Sequence, residues 1–144
     1  MLKGIDPILS PDLLHALCSM GHGDTLVIAD ANFPAASVAR RLYRVPGIPA
    51  VRMLEAVMSL LPLDTFVERP AAVMQVVGDP EAVPAPVKDF QIVLDRMQDR
   101  VVTLDVVERH AFYERARAAF AVIATGESRP YGNIIVTKGS IRAS

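Results

Sequence analysis

Apolar positions recur along the chain in two alternating rhythms, short continuous runs and stripes at helical spacing. Thr25-Leu26-Val27-Ile28-Ala29 is a continuous run bounded by turn formers, which predicts a strand buried on both faces. Ala71 to Val77, Val101 to Val106, Phe120 to Thr125 and Asn133 to Lys138 read as further strands. Ahead of the first, Ser10 can cap a helix, Pro11 suits its first position and Asp12 complements its positive end, so Pro11 to Met20 is predicted helical. Its stripe is Leu13, Leu14 and Leu17, with Cys18 on or beside it, which assigns Cys18 to the core. Further helices are predicted at Ser37 to Leu42, at Pro49 to Leu61 with Val51, Leu54, Met58 and Leu61 in step, at Pro86 to Gln98, and at Ala111 to Ala119. Gly- and Pro-rich residues 78–86 read as a loop, and residues 126–132 as a polar turn. This alternation predicts an α/β fold: a layered domain with a mostly parallel central sheet flanked by helices, residues 1–144 forming a single domain.

Composition adds a partner and removes several. Hydrophobic residues make up 51% of the 144, although there are only three Tyr, five Phe and no Trp. That excess of apolar surface predicts a subunit interface and hence a homo-oligomer. Fifteen basic residues offset 16 acidic ones without forming a block, so nucleic acid is not an expected partner. No apolar run reaches membrane-spanning length, and Met1 to Pro7 lacks the pattern of a secretion leader. With one cysteine and no internal disulfide possible, the expected compartment is the cytoplasm.

Three polar clusters lie beside the predicted strand ends, where open α/β sheets bind ligands. They are Met20-Gly21-His22-Gly23-Asp24 with Asp30-Ala31-Asn32-Phe33-Pro34, then Glu108-Arg109, then Gly126-Glu127 with Tyr131-Gly132-Asn133. Two glycines flank His22 and leave its ring accessible. A loop histidine alone is more often a surface residue than an acid–base group. Asp24 and Asp30 alter that balance, since either could hydrogen-bond the imidazole or a ligand hydroxyl, and imidazole exchanges protons near neutrality. The same trio offers one nitrogen and two carboxylates to a metal, too few His and Cys for the usual zinc sets, and no metal is expected. No serine stands in a Gly-x-Ser-x-Gly context, and Gly21-His22-Gly23 lacks the third glycine of a dinucleotide loop and precedes its strand. No cofactor is expected.

Taken together, Leu9-Ser10-Pro11-Asp12-Leu13-Leu14, Met20-Gly21-His22-Gly23-Asp24, Asp30-Ala31-Asn32-Phe33-Pro34-Ala35, Phe112-Tyr113-Glu114-Arg115-Ala116, Ala124-Thr125-Gly126-Glu127 and Tyr131-Gly132-Asn133 resemble, in this order, the motifs of the fucose mutarotase and ribose pyranase family. Gly23, Asn32-Phe33-Pro34, Arg109 and Gly132 resemble the fucose type. The resemblance implies an isomerase that interconverts the α and β anomers of L-fucose without cofactor or metal, assembled as a homo-oligomer, decameric rings among the forms. It implies His22 as the catalytic acid–base residue and Asp30, Arg109, Tyr131, Gly132 and Asn133 as the sugar site. Anomer exchange needs one proton removed at the anomeric hydroxyl and one delivered to the ring oxygen. His22 suits the ring oxygen, and Tyr131 suits the anomeric hydroxyl. Residues 39–52, with Arg40, Arg41, Tyr43 and Arg44, do not align with the family pattern. A D-ribose pyranase and a non-catalytic monosaccharide-binding protein are the competing readings.

Overall fold

A computed structural model describes residues 1–144. Its order is α1 (Pro11–Ser19), β1 (Thr25–Ala29), α2 (Ala35–Val38), β2 (Leu42–Val45), α3 (Ala50–Met58), β3 (Ala71–Met74), α4 (Ala85–Met97), β4 (Asp105–Val107), α5 (Arg109–Ala118), β5 (Ala121–Thr125) and β6 (Ile134–Thr137). The six strands form one sheet in the order β2-β5-β1-β6-β3-β4. Five run one way, and β6 alone opposes both its neighbours, β1 and β3. The expected layered α/β fold with a mostly parallel sheet is what forms.

Period-two alternation divides the sheet between two cores. Leu26, Ile28, Ile123, Ile134 and Val136 face α1, α3 and α4, where Leu13, Leu17, Met53, Leu54, Phe90 and Leu94 meet them. Val27, Ala29, Val122, Ala124 and Ile135 face α2 and α5, packing on Val38, Phe112 and Ala116. Both faces of β1 and β5 are covered, which explains why those strands are apolar at every position but one, Thr25 at the start of β1 and Thr125 at the end of β5. At the start of α1 the Ser10 side chain accepts the Leu13 N–H, as its cap position predicts.

Four expectations need correction. Cys18 is exposed, just past the stripe of Leu13, Ala16 and Leu17, and so is not a core residue. The helix expected from Ser37 to Leu42 ends at Val38; Leu42 to Val45 instead adds an edge strand, because β5 offers it an open row of backbone partners. The strand expected at Val101 to Val106 is confined to Asp105–Val107, the part that reaches β3. The Val102 carbonyl accepts from Gln91 Nε2, which satisfies it without a neighbouring strand. The strand at Ala71 stops at Met74, and Val77 points its N–H elsewhere, as described below. No helix is long and apolar enough to cross a membrane.

Candidate functional site

At the carboxyl end of β1 the chain turns, and Asp30 is held there. Its Oδ1 accepts the Asn32 N–H at 3.0 Å, and its Oδ2 accepts from Asn133 Nδ2 at 3.1 Å. Asn133 Oδ1 in turn accepts the Asp30 N–H at 2.8 Å. This reciprocal pair closes the exit of β1 onto the entry of its antiparallel neighbour β6. Both residues are buried. Burial pushes the Asp30 carboxyl above the ordinary range, and the hydrogen bonds from Asn32, Asn133, Gly132 and Phe33 only partly offset it.

Tyr131 is the one non-glycine residue with a left-handed backbone, at φ 61°. Such conformations cost energy and persist where the surroundings enforce them. Its Oη accepts the Val77 N–H at 3.0 Å, leaving the phenolic proton free for a ligand. The next residue must be glycine, since a Cβ on Gly132 would stand 2.6 Å from Glu127 Cγ. Arg109 opens α5, where the Glu108 carboxylate caps the helix by accepting the His110 and Ala111 N–H groups. Asp30, Arg109, Tyr131 and Asn133 line one cavity of about 240 Å³, walled also by Phe33 and Tyr113, whose rings lie 5.6 Å apart. Five predicted sugar-site residues thus gather at one place, with Gly132 holding the turn.

His22 is not among them. It precedes β1 whereas Asp30 follows it, and five strand residues separate the two sites by about 16 Å. Asp24 does not serve the imidazole either, because its Oδ2 accepts the Gly21 N–H at 2.8 Å. The partner is Asp64, whose Oδ1 lies 3.1 Å from His22 Nε2. Sequence reading missed it, and no local signal marks it. Asp64 arrives there through the bridge between Leu63 and Lys138, with its N–H donating to Thr137. Burial pushes the Asp64 carboxyl up, but the Phe66 N–H and the His22 imidazole outweigh burial and hold it below the ordinary range. It is therefore a carboxylate near neutral pH. The Phe66 ring lies 5.3 Å from the imidazole, and Lys138 Nζ fixes the approach by donating to Leu17 O and Met20 O. His22 stands at the rim of a separate, apolar cavity of about 660 Å³ lined by Leu14, Leu17, Leu61 and Ile141 among others. His22, Asp24 and Asp30 do not converge on a point, and no three His, Cys, Asp or Glu side chains are grouped to hold an ion.

The model of the RbsD / FucU transport protein family matches residues 3–141. The fucose mutarotase of Homo sapiens is 50% identical over 144 residues, covering 96% of this chain and 93% of that protein. The crystal structure of the fucose mutarotase from Streptococcus pneumoniae in complex with L-fucose superposes with a TM-score of 0.92 at 38% identity, covering 98% of this chain and 100% of that one. Bacillus subtilis RbsD, solved with D-ribose, covers 99% of this chain and 100% of its own at a TM-score of 0.75 and 23% identity, a likeness of fold alone.

Proposed function

The chain belongs to the RbsD / FucU transport protein family, and on that premise we propose that it is an isomerase, an L-fucose mutarotase that exchanges the α and β anomers by opening and closing the pyranose ring. The observation that carries the choice of sugar is the whole-chain similarity to a fucose mutarotase solved with L-fucose. The relative solved with D-ribose is only 23% identical and lends ribose no comparable support.

Ring opening removes the proton of the anomeric hydroxyl, breaks the bond between C1 and the ring oxygen, and delivers a proton to that oxygen. The aldehyde then rotates, and closure on its other face reverses the transfers. Asp30, Asn133 and Arg109 offer one carboxylate, one amide and one guanidinium to the hydroxyls. Tyr131, with its proton free, donates a hydrogen bond to the anomeric oxygen and positions it, and the proton that oxygen loses passes to water. His22 serves the ring oxygen; Asp64 accepts its Nε2–H and stabilises the imidazolium, which leaves Nδ1 facing the reaction. His22 regains its proton from water, so the transfers balance over opening and closure.

One chain cannot perform it, because His22 and the Asp30 cavity lie at opposite ends of β1. The site is proposed to form between two copies, the His22 end of one meeting the Asp30 end of the next, in a homo-oligomer for which a decameric ring is the expected closed form. Exposed apolar side chains support this: Phe66 is 66% exposed beside His22, and Leu2 and Ile141 stand at the rim of the adjacent cavity. Residues 1–144 act as one domain, working in the cytoplasm, where the lone Cys18 stays a thiol.

Magnetisation exchange between the anomer signals in NMR, compared for L-fucose and D-ribose, tests the reading. L-fucose exchange should rise well above its spontaneous rate and D-ribose exchange much less. Binding of fucose without faster exchange would leave a sugar-binding protein, and spontaneous rates without binding would end both readings.

A further inference from the structure

Three carboxylates are buried, Asp30, Asp64 and Glu127, and the proposed chemistry uses only the first two. A buried carboxylate is retained only where it is paired. Glu127 Oε1 accepts from Arg129 Nε at 2.9 Å and from the Arg129 backbone N–H at 3.1 Å, and its Oε2 accepts from Arg129 Nη2 at 3.1 Å. Arg129 Nη1 continues to Asp89 Oδ2, on α4, at 2.7 Å. The N–H of Ala50 at the start of α3 also donates to Glu127, where the helix has no side-chain cap of its own.

The same residue touches the two chain segments that carry Asp30 and Tyr131 into the cavity. Its backbone carbonyl accepts the N–H of Ala31, the neighbour of Asp30, at 2.9 Å. Its Cγ fills the space that a Cβ on Gly132 would need, directly after the left-handed Tyr131. Arg129 and Asp89 are each more than one-third exposed, so their ion pair alone contributes little stability. What the pair does provide is a fixed anchor on α4 for a turn whose backbone is in a disfavoured conformation.

We propose that Glu127, clamped by Arg129 and Asp89, is a positioning residue that fixes the turn carrying Tyr131 and Asn133 against the loop carrying Asp30. The kinetic consequence rests on the mutarotase reading, and the geometric one does not.

Arg129→Met keeps the stem and removes the fork, and it avoids a substitution at the buried Glu127 that could prevent folding. With L-fucose it should lower kcat/KM roughly 10²-fold, as a small displacement of a reacting group does. The larger part should fall on kcat, because Tyr131 is displaced while Asp30 and Asn133 keep their mutual bonds. Arg129→Lys, with the charge but not the fork, should fall between. A readout without sugar is amide hydrogen exchange at Val77, whose N–H donates to Tyr131 Oη. In Arg129→Met the Val77 amide should exchange faster, while Val27 and Ile135 in the sheet centre keep their protection. Unchanged kcat/KM and unchanged Val77 exchange, with only a lower melting temperature, would overturn the inference. If wild-type protein does not speed anomer exchange, the mutarotase reading falls and Val77 exchange alone decides the clamp.

Discussion

Replacing Asp64 by asparagine tests whether His22 works as half of an imidazole–carboxylate pair. Asp64 Oδ1 receives both the His22 Nε2–H at 3.1 Å and the Phe66 N–H at 3.0 Å, and an asparagine oxygen at the same place can keep both bonds. What Asp64→Asn removes is the charge. A hydrogen bond to a charged group is worth about 1.5–3 kcal/mol and a neutral one about 0.5–1.5 kcal/mol, so the charge accounts for roughly 1–1.5 kcal/mol. The His22 side chain is 46% exposed, which screens the pair and favours the lower end. At about 1.4 kcal/mol per decade, kcat/KM for L-fucose should fall roughly 5- to 10-fold. Asp64→Ala, which also removes the hydrogen bonds and frees the ring, should cost more, toward the roughly 10²-fold or greater contribution of a placed acid–base group. NMR anomer exchange gives the rates, and a thermal melt checks that each variant is folded. The decisive control is the same change in a His22→Ala background. If Asp64→Asn slows that protein by the same factor as the wild type, the two residues are not coupled and the pairing argument fails.

Three further outcomes follow from the same geometry. Gly132→Ala forces a Cβ to within 2.6 Å of Glu127 Cγ and should cost roughly 1–3 kcal/mol, a calorimetric midpoint several degrees lower, with weaker fucose binding; an unchanged midpoint would mean the turn can yield. Co-expressed His22→Ala and Asn133→Ala chains, each strongly impaired alone, should regain activity, since random mixing rebuilds about one site in four between copies. No recovery in a demonstrated hetero-oligomer would rule out a site shared in this way. The Asp30 carboxyl lies above its ordinary value because of burial, so its contribution to stability is fully present below about pH 4 and is lost as pH rises through its folded value. The melting-temperature difference, wild type minus Asp30→Asn, should therefore shrink as pH rises from acid toward neutrality; a difference that is flat or grows with pH would contradict the assigned burial effect.

Much of the fold is local and was legible in residue order. Ser10-Pro11 starts α1 through a cap and a fixed φ, and the unbroken apolar runs at Leu26 to Ala29 and Ala121 to Ala124 can only be strands covered on both faces. The motifs also grouped Asp30, Arg109, Tyr131, Gly132 and Asn133, which the fold brings together. The rest depended on partners distant in sequence. Leu42 to Val45 became a strand because β5 left an edge unpaired, and Cys18 faced outward because the stripe of α1 ends one residue before it. Proximity in sequence joined His22 to Asp24 and Asp30, yet an extended strand carries its two ends about 16 Å apart, so Asp30 lies at the far end of β1. The bridge at Leu63 and Lys138 supplied Asp64 instead, from 42 residues away. Hydrophobic patterning reports which faces of a segment are buried; strand pairing, set by backbone hydrogen bonds between segments, decides which polar side chains meet at their ends.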